Sequence, residues 1–164
     1  MKPAQNAIPE VRRGRQPMPA DWDAECYRIF MLDRQERIEM IKRGAPPELV
    51  GHLAKIMNVP KQWLIGILGM SRATISRKEH THTPLSVDES ERVFGVQCLI
   101  GQLEDQVLDG GEPAGFDPAK YFGEWLDEYQ PALGGRNPSF YMDTIEGQKL
   151  LSGLLAAAAD GAYW

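Results

Sequence analysis

The segment Leu85-Ser86-Val87-Asp88-Glu89 fixes one boundary from which the rest of the chain can be read. The Ser86 side chain can accept from the backbone three residues on, and Glu89 can reach back to the Ser86 N–H, the capping box that opens a helix. That helix is expected to run to about Leu108. Along it Val93, Val96, Ile100, Leu103 and Val107 recur at spacings of 3, 4, 3 and 4, a heptad seam about two repeats long. Such a seam either lies in the core of its own chain or pairs helices across a homodimer. On both sides the chain carries further helix signals. Residues 22–31 (Trp22, Cys26, Ile29, Phe30) and 33–43 (Ile38, Ile41) have apolar positions at helical period, and Lys42-Arg43-Gly44 is a basic last turn followed by a stop. Pro46-Pro47-Glu48 opens a helix through Met57, and a short helix starts at Pro60. Gly110-Gly111-Glu112-Pro113 is a loop, Asp117-Pro118 restarts helix through Tyr129, and Asn137-Pro138 leads a final helical region to Ala159. No alternating strand run and no internal repeat is present, so the expected fold is all-α.

Size and composition narrow the function classes. A chain of 164 residues that is 43% hydrophobic, with four Trp, five Tyr and five Phe, holds enough apolar surface to fold as one or two small domains. The longest apolar run, Leu150 to Ala159, falls short of the roughly 18 to 20 residues needed to cross a bilayer, so no membrane association is expected. The first residues are Pro-rich and basic rather than apolar, unlike a secretory signal, and Cys26 and Cys98 do not make a disulfide framework. Both features point to the cytoplasm. His52, His80 and His82 show no zinc-ligand spacing, and no short motif sets a nucleophile beside a base or a glycine loop between strand and helix. No metal, cofactor or enzymatic activity is therefore expected. The net charge of −5 is unevenly divided: residues 1–80 carry +5 and residues 81–164 carry −10. A polyanion would meet the first half, since the second would repel phosphate.

Within the basic half, PKQWLIGILGMSRATISRKE (Pro60 to Glu79) has the spacing of a helix-turn-helix: a short helix, a turn at Gly69, and a second helix capped by Ser71 with Ile75 pointing back to the core. The position four before Gly69, usually small where two such helices cross, is Ile65, with Gly66 one step later. In this motif the second helix enters the major groove. Ser71, Arg72, Thr74, Ser76, Arg77 and Lys78 would face outward, a set of hydroxyls and cations suited to phosphate oxygens and guanine edges. At the other end the chain finishes Asp160-Gly161-Ala162-Tyr163-Trp164, two large rings beyond a helix-stopping glycine. They either fold back on the core or anchor in a partner's pocket, as Tyr and Trp do at interaction hot spots.

From Arg43 to the C-terminus the chain resembles the Xre/MbcA/ParS antitoxin family. The resemblance rests on RGAPPELVGHLAKIMNVP, SRATISRKE, LSVDESERV, the WLDEYQPALGGRNPSFYMDT block and the terminal GQKLLSGLLAAAADGAYW, about three quarters of the chain. It implies an antitoxin with a helix-turn-helix domain that binds operator DNA and represses its own operon, and a C-terminal domain that binds a RES-domain toxin, which degrades NAD. The family's toxin-binding signature falls on Trp125, Leu133, Gly134, Gly135, Pro138, Thr144, Gly147, Gly161 and Tyr163. Family antitoxins place their C-terminal end at the toxin's active site, so Gly161, Ala162, Tyr163 and Trp164 are the expected toxin contacts. Trp164, beyond the usual glycine-x-aromatic ending, is this chain's own variation. The domains expected on this basis are a basic arm at 1–20, a helix-turn-helix domain at 21–84, and a dimerisation and toxin-binding domain at 85–164. A palindromic operator calls for a two-fold protein, so the seam from Val93 to Val107 is expected to serve self-association. A helix-turn-helix regulator with no toxin partner is the competing reading.

Overall fold

In the computed structural model, which describes residues 24–110 and 115–161, one 24-residue helix runs through the middle of the molecule. This helix, α6 (Val87–Gly110), opens with the capping box read from the sequence: the Glu89 N–H donates to Ser86 Oγ at 3.2 Å, and the Ser86 N–H donates to Glu89 Oε1 at 3.0 Å. Eleven of its residues are buried, more than a single apolar stripe supplies. The other helices cover it from several sides. α1 (Ala24–Met31) lies along it more extensively than any other element, with α2 (Arg34–Arg43), α7 (Pro118–Trp125) and α8 (Ile145–Ala159) also packed against it. Gly101 permits the close approach of α1, since a Cβ there would stand 2.3 Å from the Cys26 carbonyl oxygen.

Ahead of α6 the chain makes α3 (Glu48–Ile56), α4 (Lys61–Ile67) and α5 (Arg72–Thr81). Asp33 caps α2 in a second capping box, with Glu36 N–H donating to Asp33 Oδ1 at 2.9 Å, and the helix ends at Gly44 as its sequence indicates. Leu53 on α3 and Met57 just past it, Leu64 and Leu68 on or beside α4, and Ile75 on α5 share one continuous core with Phe122 and Leu126. The two halves of the sequence thus meet in a common interior. Val93, Val96 and Ile100 of α6 are fully buried and Leu103 nearly so, enclosed by helices of the same chain. They are consequently core and unavailable to a second copy, which corrects the expectation that they form a self-association surface; Val107, half-buried, lines a groove instead.

The C-terminal half departs from the sequence reading in two further places. Helix α7, capped by Asp117, ends at Trp125 rather than Tyr129, where the bonding tightens to i→i+3: the Asp127 and Glu128 N–H groups donate to the Glu124 and Trp125 carbonyls at 3.1 Å each. Asn137-Pro138 opens only a short 3₁₀ turn, Pro138–Tyr141. The Asn137 amide donates to the Asp127 carbonyl at 3.2 Å instead of capping a helix, and α8 takes its cap from Thr144, whose Oγ1 accepts from Gly147 N–H at 3.0 Å. Another 3₁₀ turn spans Pro131–Leu133. Among the described residues there is no strand, only an isolated bridge between Gln130 and Arg136, so the fold is all-α. No helix among them is long and apolar enough to cross a membrane.

Candidate nucleic-acid interface and C-terminal contact surface

The basic surface is built on the α4–turn–α5 unit. α4 ends as Leu68 turns inward, and Gly69 takes a positive φ of 65°, a conformation that glycine adopts without strain. Its N–H and that of Met70 donate to the Gly66 and Ile65 carbonyls at 3.0 Å each, closing the helix end. An added Cβ at Gly69 would also lie 3.2 Å from the Asp143 Cβ, so the link between the second 3₁₀ turn and α8 braces this turn. Ile65 is buried where a small residue was usual, and Gly66 is exposed with open space beside it. Ser71 then caps α5 through a 3.3 Å bond from the Thr74 N–H, and Ile75 is its single buried residue.

Helical spacing sorts the rest of α5. Arg72 and Ser76 fall in one row and Ala73, Arg77 and His80 in the next, all exposed, with no acidic side chain in the first turn. Ser71 is exposed and Thr74 half-buried. Lys78 does not face outward with them. Its Nζ bonds Glu89 Oε1 at 2.6 Å, with the two side chains only 15% and 12% exposed, so it pins α5 to the start of α6. This corrects its assignment to the free basic face. Burial pushes the Glu89 carboxyl up, but the Lys78 ammonium and the Ser86 N–H and hydroxyl more than offset it, and its pKa is lowered. Lys61 and Glu79 make a second pair between α4 and α5. Arg72 and Arg77 remain the exposed guanidiniums of the helix. The surface can thus offer two guanidiniums, hydroxyls and a helix N-terminus to an anionic backbone. His80 and His82 are exposed, and among the described residues no three His, Cys, Asp or Glu side chains are grouped to hold a metal.

Most of the residues picked out by the resemblance in the acidic half shape its backbone. Trp125, Leu133 and Pro138 are buried. Gly134 and Gly135 take φ of 64° and 85° at a tight reversal closed by Gln130 and Arg136. Gly147 sits against the Tyr141 carbonyl, where a Cβ would stand 2.0 Å away, and Thr144 is the cap already described. Gly161 ends α8 at φ 75°, its N–H donating to the Ala158 carbonyl. Ala162, Tyr163 and Trp164 lie outside the described residues. The helix that leads to them flanks a groove of about 600 Å³, between Ala158 and Ala159 on one side and Tyr121, Trp125, Pro131 and Ala132 on the other.

The sequence reading passed over the residues this half exposes. Tyr129 is 67% and Phe140 60% exposed, among the most exposed large apolar side chains described. The Arg136 guanidinium stands 4.2 Å above the Phe140 ring, a cation–π contact. The signal was available: two rings and an arginine in a Gly- and Pro-rich stretch with no helical period to demand them.

Comparison with known proteins places the helix-turn-helix region in a described family. Residues 36–97, from α2 to the middle of α6, match the family described as the antitoxin Xre-like helix-turn-helix domain. A protein named "Prs ADP-ribosylating antitoxin", from Sphingobium sp. (strain YBL2), is 38% identical over 135 residues, which make up 82% of this chain and 85% of that one.

Proposed function

This chain belongs to the Xre-type antitoxins, and on that premise we propose that it neutralises a RES-domain toxin and represses its own operon. Its C-terminal end, Gly161 to Trp164, enters the toxin's active site and shuts out NAD. Its α5 helix, through Ser71, Arg72, Thr74, Ser76 and Arg77, reads operator DNA in the cytoplasm as a homodimer whose contact lies elsewhere than the buried seam of α6. The protein does no chemistry of its own and needs no cofactor.

One observation carries this reading: the exposed basic face of α5 and the acidic C-terminal half sit on one continuous core, so a DNA contact and a protein contact coexist in a single small molecule. The name of the relative supports the choice of partner. ADP-ribosylation and NAD degradation both begin by breaking the bond between nicotinamide and ribose, so a toxin of either kind is silenced by filling its NAD pocket. Two terminal rings suit that role, since burying Tyr163 and Trp164 removes about 300–500 Å² of mostly apolar surface. The general cost of association, including the fixing of side chains at an interface, offsets much of the gain. Deleting Tyr163 and Trp164 is expected to weaken the complex by roughly 2–4 kcal/mol, about 30- to 1,000-fold, and to restore NAD consumption by the toxin. The test is a pull-down of the truncated protein together with an NAD-consumption assay. Full silencing by the truncated protein would refute the plug while leaving the antitoxin family unaffected.

A further inference from the structure

We infer that Tyr129, Arg136 and Phe140 form a second, pre-built docking platform for the toxin, fitted to a basic protein surface with pockets for two aromatic rings. The inference rests on the antitoxin reading above and adds to it a contact surface separate from the tail.

The platform is pieced together by contacts within one short stretch of chain. A Cβ at Gly135 would lie 3.0 Å from the Tyr129 ring, so that ring rests against the glycine backbone at the reversal. The next residue, Arg136, carries its guanidinium 4.2 Å over Phe140, and Phe140 meets Tyr141 edge-on with ring centroids 5.1 Å apart. Below this row, the Ser139 N–H donates to the Leu126 carbonyl at 2.9 Å, and Met142 is fully buried. Rings this exposed forgo most of the stabilisation that burial gives, and they make only local contacts, the pattern of a surface kept for a partner. Tyr and Arg are the residue types that dominate hot spots, and a surface already in place loses little freedom when a partner arrives.

Charge selects the occupant. Glu124, Asp127 and Glu128 are exposed on the same stretch, against Arg136 alone. Nucleic acid would be repelled, and a second copy would bring the same acids face to face. A protein with a basic rim is complementary. Helix α8 ends beside the neighbouring groove, which Pro131 and Ala132 of this stretch line together with Ala158 and Ala159. A toxin gripping the tail is thus brought alongside the stretch that carries the rings.

The test measures binding of the toxin encoded beside this protein to four forms: wild type, Tyr129→Ala/Phe140→Ala, Phe140→Ala alone, and Glu124→Lys/Glu128→Lys. The double alanine variant is expected to bind at least about 30-fold more weakly while keeping wild-type melting and promoter binding. Phe140→Ala alone, which removes an exposed ring, gives an intermediate loss and carries the test if the double variant does not fold. The charge-reversed variant is expected to associate about 10-fold more slowly at low salt, the difference shrinking as salt rises. Unchanged affinity in the alanine variants, with wild type binding, overturns the platform alone. Failure of wild type to bind overturns the antitoxin reading and the platform together. A dimer that the double variant turns into a monomer assigns the patch to a second copy and also overturns the inference.

Discussion

Helices α5 and α6 lie next to each other in sequence and are joined by the Lys78–Glu89 pair, yet they use their surfaces in opposite ways. α5 buries Ile75 alone and leaves two arginines outward; α6 buries eleven residues and keeps little of its length in water. A heptad seam, read by itself, does not distinguish a helix that pairs with another molecule from one that is wrapped by its own. What decides is how many short amphipathic helices the same chain has to cover. Here α1, α2, α7 and α8 all need an apolar surface, and α6 is long enough to supply it.

The largest effect that would break this contrast is at Ile100. Because its side chain is fully buried, Ile100→Glu strands a carboxylate in the core and is expected to cost about 4 kcal/mol or more, a large part of a small domain's stability. Loss of helical circular dichroism or a collapse in melting temperature is the expected result. A folded variant that merely changes from dimer to monomer in sedimentation would return the seam to the surface. Val107→Glu, at the half-buried end of the same row, should by comparison be tolerated.

A smaller effect sharpens the junction between the two helices. The Glu89 carboxyl has a lower pKa folded than unfolded, so its contribution to stability is complete above the ordinary glutamate range and fades as pH falls through its folded value. Glu89→Gln removes the ion pair with Lys78 and weakens the capping box, which is expected to cost about 1–2 kcal/mol at neutral pH. The gap between variant and wild type should narrow on acidification, followed by thermal melts from pH 7 down to about 3. A gap that stays constant with pH would mean that the pair contributes nothing.

The parts of this fold that could be read from sequence are those settled within one turn. Ser86 with Glu89, Asp117 before Pro118, and Ser71 after Gly69 each bond within three residues, and each appears where its spacing indicated. Features decided by distant partners could not be read the same way. Lys78 belongs to a basic run in sequence, but its ammonium is claimed by Glu89 from the next helix. Asn137 has the form of a cap and instead serves Asp127, ten residues back. The candidate site divides similarly. Arg72 and Arg77 follow from helical period and the single core anchor Ile75, whereas the exposure of Tyr129 and Phe140 depends on a reversal whose outer face no described residue buries.

The contrast comes down to the proposal that α5 carries the DNA contact on its exposed arginines, while Lys78, paired with Glu89, holds the helix in place. The direct measurement is a mobility shift of Arg72→Ala/Arg77→Ala on the operon's own promoter at physiological salt. Each arginine is expected to contribute roughly 1–3 kcal/mol if it reaches a base edge, so the double variant should bind about 30-fold or more weakly, with melting temperature and toxin silencing unchanged. Promoter binding as tight as wild type would contradict the assignment of α5 as the recognition helix.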